Sequence, residues 1–344
     1  MNSTIFPNHT EENITTTSCK NILSQDDNLL GSYENVTSYL WIIISPILFL
    51  TGLFGNSSII AILTKLKFWK KPIYILLVTL AFSDATVLCV GLSRNWIREV
   101  FKVDIRTLSE WGCIFHIFVI YFAMQFSSAI LVCVTFERFL KTRFPFRYNI
   151  IVSVKRTIVL IICIFVFLTA LNMFWFFTQT LIVESGGVIC DAITPEYFWF
   201  EEFIYTYIDL LVLSVIPFVS MVAMNITIQK VLIESKNLRK ISVPDEATRK
   251  ELGKFSRILT KMLLFTSTYF LVSTVPISVY FITDSYLAPT ADDLTMAKMD
   301  VAWSVTYLFQ FSNYAVNFFF YMLTNKAFQR TFRQIFCCDT DDTT

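Results

Sequence analysis

The chain has 344 residues, 55% of them hydrophobic and 16% charged, with 35 Phe and a formal net charge of +1. Length suggests about two soluble domains, but such domains carry about 25% charged residues, and a charge this near zero gives nucleic acid no attraction. A water-soluble enzyme, a DNA-binding protein and a disordered scaffold are excluded, and the mean hydropathy of +0.58 marks a membrane protein.

Residues 1–38 are polar, carry no secretion signal and read as an extracellular tail. Glycosylation sequons begin there at Asn2, Asn8, Asn13 and Asn35. Two further matches, Asn56 and Asn225, lie inside apolar runs and read as chance.

Seven runs then reach the roughly 20 residues a helix needs to cross a bilayer. In order they are Tyr39–Leu63, Ile73–Ser93, Ile114–Phe136, Ile158–Val183, Phe203–Ile228, Met262–Thr283 and Val301–Thr324. Only the second and fifth hold an acid, Asp84 and Asp209. None shows the period-2 alternation of a membrane β-barrel. The expectation is an all-α membrane protein, a seven-helix bundle over 39–324, with 325–344 forming a short amphipathic eighth helix and a cytosolic tail.

Basic residues orient the bundle. The loops and tail on one side hold 22 of the 28 Lys and Arg, the other side six. The positive-inside rule therefore puts the N-terminus outside and the C-terminus in the cytosol. Cys113 at the outer start of segment three and Cys190 in the outer loop before segment five share an oxidising compartment and are expected to pair. Cys89, Cys133 and Cys163 read as buried apolar residues, and Cys19 has no evident partner. In the second outer loop, residues 181–190 read as a hairpin around Gly186-Gly187. Cys337 and Cys338 follow the amphipathic run Lys326–Phe336 and read as a palmitoylation site.

Along the seven runs stand, in order, Gly55-Asn56, Leu80-Ala81-Phe82-Ser83-Asp84, Cys113 with Glu137-Arg138-Phe139 ending segment three 25 residues later, Pro145, Pro217, Pro276, Asn317-Phe318-Phe319-Phe320-Tyr321 and Phe328. In these residues the chain, over about residues 39 to 338, resembles a rhodopsin-like (class A) G-protein-coupled receptor. The resemblance implies no enzyme activity, a G protein as partner, then arrestin and a receptor kinase, with membrane lipid around the bundle and no nucleic acid. It gives Glu137, Arg138 and Tyr321 roles in G-protein activation. It makes Asp84, Ser127, Asn313 and Asn317 a pocket for an allosteric sodium ion; otherwise no cofactor is expected. On residues alone, Asp84 is an acid at mid-membrane depth and a functional candidate by default, and a hydrogen-bonded acid with water is the other reading.

Five departures affect the switch rather than the fold. Thr274 stands where the family has Trp, Phe318 where it has Pro, Asn225 where it has Tyr, and Cys163 where it has Trp; Ser256 replaces the inner acid of segment six that would lock to Arg138.

The ligand is approached by exclusion. Monoamine receptors carry Asp where this chain has Ile120, and opsins carry Lys where it has Phe311. The outer face holds 17 acidic and six basic residues, a field that attracts cationic ligands. Asp209 is the candidate partner of a ligand Arg or Lys, and Arg94 of a carboxylate or amidated C-terminus, with Tyr121, Gln125, Tyr280 and Phe311 as walls. Through Arg94-Asn95-Trp96-Ile97 and Glu137-Arg138-Phe139 the chain looks similar to invertebrate neuropeptide receptors of the FMRFamide and thyrotropin-releasing-hormone type. The expected function is therefore a neuropeptide receptor that activates heterotrimeric G proteins. A class A receptor for a lipid or other small non-amine ligand is the alternative. A transporter is remote, since seven spans do not divide into equal inverted repeats. An enzyme is remote as well, since two His and no paired acids offer no constellation.

Overall fold

With no water in hydrocarbon, every backbone polar group must be paired within the segment, which leaves the helix as the form for long uncharged runs. The computed structural model describes the backbone of residues 9–184, 187–242, 246–324 and 326–336, and the side chains of 28–183, 187–234, 265–323 and 328–336. Helix α1 runs His9–Lys65, so the polar N-terminal tail enters the first span as a continuous helix. Then come α2 Pro72–Phe101, α3 Glu110–Arg143, α4 Val154–Asn172, α5 over residues 195–242, α6 Glu246–Leu287, α7 Asp293–Thr324 and α8 Lys326–Phe336.

Local chemistry sets the starts. Ser109 accepts from the Gly112 amide at 3.0 Å to cap α3, and Thr194 accepts from the Tyr197 amide at 3.4 Å ahead of Pro195 to cap α5. These side chains satisfy amides that the first turn leaves orphaned. Lys67 and Lys102 adopt left-handed backbone after α1 and α2 and turn the chain back. Six of the described helices are long and apolar enough to cross a bilayer. Helix α7 is less apolar because it carries Ser304, Gln310, Asn313 and Asn317, all buried against its neighbours.

The fourth span is shorter than its apolar run. Helix α4 ends at Asn172, a turn occupies Trp175–Thr178, and Gln179–Glu184 form strand β1, antiparallel to β2, Gly187–Ala192. Residues 179–183 therefore belong to the outer hairpin rather than to the membrane. An unbroken apolar run does not say where helix gives way to strand; here the pairing of Leu181 with Cys190 decides it. Gly187 sits at φ 134°, open only to glycine without strain.

Helix α1 lies along α7 closely enough that a Cβ on Gly55 would sit 2.8 Å from the Phe318 Cβ. The inner half of the bundle closes around Leu80, Ile130, Val134, Met221, Phe270 and Tyr321, the outer half around Trp41, Leu88, Met124, Phe311 and Tyr314. Helix α4 stands at the edge, with Val159, Ile162, Val166 and Phe167 exposed, as suits a lipid-facing helix. Cys89 and Cys163 are likewise exposed rather than buried, and Cys133 is half-buried. They occupy the perimeter because an apolar thiol is as well placed against lipid as inside the bundle.

Candidate functional site

Between α2, α3, α5, α6 and α7 the outer half of the bundle encloses a cavity of about 200 Å³, lined among others by Arg94, Arg106, His116, Tyr121, Asp209, Phe281, Tyr307 and Gln310. The chain reshapes its helices to make this space. Helix α2 widens to a π-turn at Leu88–Leu92, and α5 does so on both sides of Asp209, at Phe200–Tyr205 and Leu210–Val215. Such bulges rotate side chains off the regular helical face and recur at functional sites.

Asp209 is held from behind. Gln125, fully buried, donates through Nε2 to Asp209 Oδ1 at 2.8 Å and to the Tyr205 hydroxyl at 3.1 Å. Asn172 Nδ2 donates to Gln125 Oε1 at 2.8 Å, and the Tyr205 hydroxyl donates to Asn172 Oδ1 at 2.7 Å. The closed circuit ties α3, α4 and α5 and leaves Asp209 the one charged member on the cavity wall. Tyr121 stacks on Trp175 with centroids 5.0 Å apart, forming the wall beside it.

The outer end is cationic. Asp104, between α2 and α3, accepts from Arg94 Nε at 3.0 Å and Nη2 at 2.5 Å, and from Arg106 Nε at 3.2 Å and Nη2 at 3.1 Å. Burial pushes the Asp104 carboxyl up, but hydrogen bonds and charge from the two guanidiniums outweigh it and hold it well below the usual carboxylate range. The disulfide Cys113–Cys190 anchors the hairpin over this mouth, and Gln179 Nε2 donates to both Glu201 oxygens at 2.7 and 2.8 Å to fix its base to α5.

Of the six expected ligand contacts, Arg94, Tyr121 and Asp209 line the cavity. Gln125 stands one layer behind, positioning Asp209. Phe311 is fully buried and packs on Tyr307, 4.7 Å between centroids. Tyr280 donates to Asp284 at 3.0 Å, outside the lining. Asn172, Tyr205 and Arg106 escaped the sequence reading. Asn172 is a polar residue inside an apolar run, and the argument applied to Asp84 and Asp209 would have found it.

At mid-depth, Ser127 Oγ donates to Asp84 Oδ1 at 2.5 Å and Asn317 Nδ2 to Oδ2 at 2.7 Å. Asn313 is buried on the same helix without a hydrogen bond to Asp84. Asn317 Oδ1 is buried with no partner. At the inner end Arg138 Nε lies 3.4 Å from Glu137 Oε2, and the Tyr148 hydroxyl of the second inner loop donates to Glu137 Oε1. Tyr321 is buried nearby in the inner core.

Asn35 is exposed ahead of the first span. Asn2, Asn8, Asn13, Cys19, Ser256, Cys337 and Cys338 lie outside the described residues or their described side chains.

Comparison with known proteins agrees with this geometry. The family model described as 7 transmembrane receptor (rhodopsin family) matches residues 55–321. Similar curated proteins include the thyrotropin-releasing hormone receptor of Gallus gallus, 24% identical over 46% of this chain and 39% of its own length. The neuromedin U receptor homolog nmur-2 of Caenorhabditis elegans is 33% identical over 35% of this chain and 30% of its own. Olfactory receptor-like protein I9 of Rattus norvegicus is 24% identical over 44% of this chain and 46% of its own. This chain spans less than half the length of each of these relatives. With the family match running from Gly55 in α1 to Tyr321 in α7, the chain belongs to the rhodopsin family of seven-transmembrane receptors, multi-pass plasma-membrane proteins that are not enzymes.

Proposed function

We propose that this receptor binds an extracellular cationic neuropeptide in the outer cavity and activates heterotrimeric G proteins from its inner face, with the N-terminus outside and the C-terminus in the cytosol. The observation that carries the reading is Asp209, a carboxylate on the cavity wall with one oxygen fixed by buried Gln125. A ligand guanidinium or ammonium placed against its other oxygen gains a charge-assisted hydrogen bond. The acidic outer surface gathers such ligands. The thyrotropin-releasing hormone and neuromedin U receptor relatives support a peptide.

The signal ends at Glu137 and Arg138. Glu137 is held by Tyr148 and paired with Arg138, so releasing Arg138 frees a cation to engage the G protein; arrestin and a receptor kinase would read the same activated face. Asp84, Ser127 and Asn317 offer a hard cation two carboxylate oxygens, a hydroxyl and the unpartnered Asn317 carbonyl, a donor set that fits sodium. These residues would hold the ion and supply an allosteric brake.

The test is nucleotide exchange by a panel of G proteins in cells expressing the chain, challenged with short synthetic peptides. A response to Arg-containing peptides is expected, lost in Asp209→Asn with surface expression unchanged. Arg138→Ala should abolish exchange while leaving peptide binding within about threefold, roughly 0.6 kcal/mol. Response to Arg-free peptides alone, or unaltered exchange in Asp209→Asn, would overturn the cationic reading. A small non-amine ligand is the second reading, favoured by the olfactory relative and by the modest cavity.

A further inference from the structure

The outer end of the cavity carries more positive charge than its one acid neutralises. We infer that Arg94 and Arg106 form an anion subsite that takes the free carboxylate of a ligand in preference to an amide, so that the ligand is amphoteric, with its cation at Asp209 and its anion here. The inference rests on the cavity being the ligand site, as proposed above.

Asp104 is the only carboxylate that bonds either guanidinium among the described residues. It already receives Arg94 Nε and Nη2, Arg106 Nε and Nη2, and the Arg106 amide at 3.0 Å. A carboxylate has about four lone-pair sites, so five donors saturate it. The pair of arginines keeps one uncompensated charge and the Nη1 donors of both forks. Arg94 Nη1 reaches only Asn95 Oδ1, at the 3.5 Å limit. Arg94 is buried, and both arginines line the cavity. The other acid close by, Glu99, is committed to Arg98 and Lys102.

The rest of the cavity cannot use those donors. Asp209 stands on α5 with its oxygen bonded to Gln125. The unpartnered atoms on the lining are acceptors, Gln310 Oε1 and His116 Nδ1, the latter fixed as an acceptor when Nε2 donates to the Val90 carbonyl at 3.1 Å. Acceptors and an acid call for ligand donors; two forks sharing one acid call for a ligand acceptor of full negative charge. An amide oxygen offers a forked pair of guanidiniums a neutral dipole, a carboxylate two charged oxygens in matching geometry.

The experiment uses the purified full chain in detergent and paired probes. These are N-acetylated peptides of one to four residues, each with a single Arg, made once as the C-terminal free acid and once as the amide. Apparent affinity is read from the rise in Tm with probe concentration. The acid should bind about 10- to 100-fold more tightly than its amide, the size of one charge-assisted hydrogen bond. Arg106→Gln should erase that ratio, and Arg106→Lys, which retains the charge, should keep part of it. Asp104→Asn, which raises the local charge, should increase the ratio if it folds. Equal affinity for acid and amide, both lost in Asp209→Asn, would overturn the anion subsite and leave the cationic reading standing. Binding of the acid that survives Asp209→Asn with the acid-to-amide ratio intact would do the reverse. No binding by any pair at millimolar concentration overturns both.

Discussion

Asp84, Asp104 and Asp209 differ in what surrounds them. Asp84 is enclosed by neutral donors from α3 and α7, so a cation entering there must compete with no fixed positive charge. Sodium is therefore expected to weaken agonist binding about 5- to 150-fold, the range of allosteric coupling of 1–3 kcal/mol, and Asp84→Asn should make affinity independent of sodium in radioligand titrations. Asp104 is enclosed by two guanidiniums, and its folded pKa is depressed. Its contribution to stability is thus complete above the unfolded value of about 3.9 and is lost as pH falls through the lower folded value. Between pH 5 and 8 the Tm should not respond to this group. Below about pH 4 the native chain should lose stability that Asp104→Asn, already lacking the pair, no longer has to lose; parallel Tm curves for the two would remove the clamp.

At the scale of the element, Phe318 replaces the residue that breaks the seventh helix elsewhere in the family. Helix α7 runs unbroken from Asp293 to Thr324, and the ring packs among Phe54, Phe328 and Phe332 at centroid distances of 5.8, 6.0 and 5.6 Å. One side chain therefore fastens α7 to α1 and α8, where a proline would have given a hinge. Phe318→Ala should cost about 3–5 kcal/mol, as for aromatic truncation in a packed core, read as a drop in Tm. Gly55→Ala alone should cost about 1–3 kcal/mol from overpacking, because its Cβ would lie 2.8 Å from that of Phe318. Phe318→Ala keeps the Cβ that makes the closest contact, so the double variant should retain most of the Gly55→Ala cost. The departure at 318 was legible in the sequence; that it fills a slot beside glycine was not, because it depends on how closely two helices approach.

For the molecule as a whole, the disulfide between α3 and the hairpin closes a separation of 77 residues that includes all of α4. The chain-entropy account gives such a closure roughly 4–5 kcal/mol. Cys113→Ser should therefore reduce surface expression and lower Tm, even though Gln179 still ties the hairpin's base to Glu201. Peripheral α4 gains most from this tether, because its outward face meets lipid rather than protein.

The number of spans, their helical nature, the disulfide pair and the family motifs follow from the sequence, because burying a helix in hydrocarbon demands about 20 apolar residues whatever surrounds it. An isolated acid such as Asp84 or Asp209 is equally visible, since its burial is costly in every fold. The end of α4 was decided only by strand pairing across the hairpin. The circuit of Gln125, Asn172, Tyr205 and Asp209 and the sharing of Asp104 by two arginines were decided only by tertiary structure. Those partners come from α2, α3, α4, α5 and the loop between α2 and α3, between 2 and 84 residues apart in the chain, and a hydrogen bond depends on positions to within a fraction of an ångström, which a one-dimensional pattern does not carry.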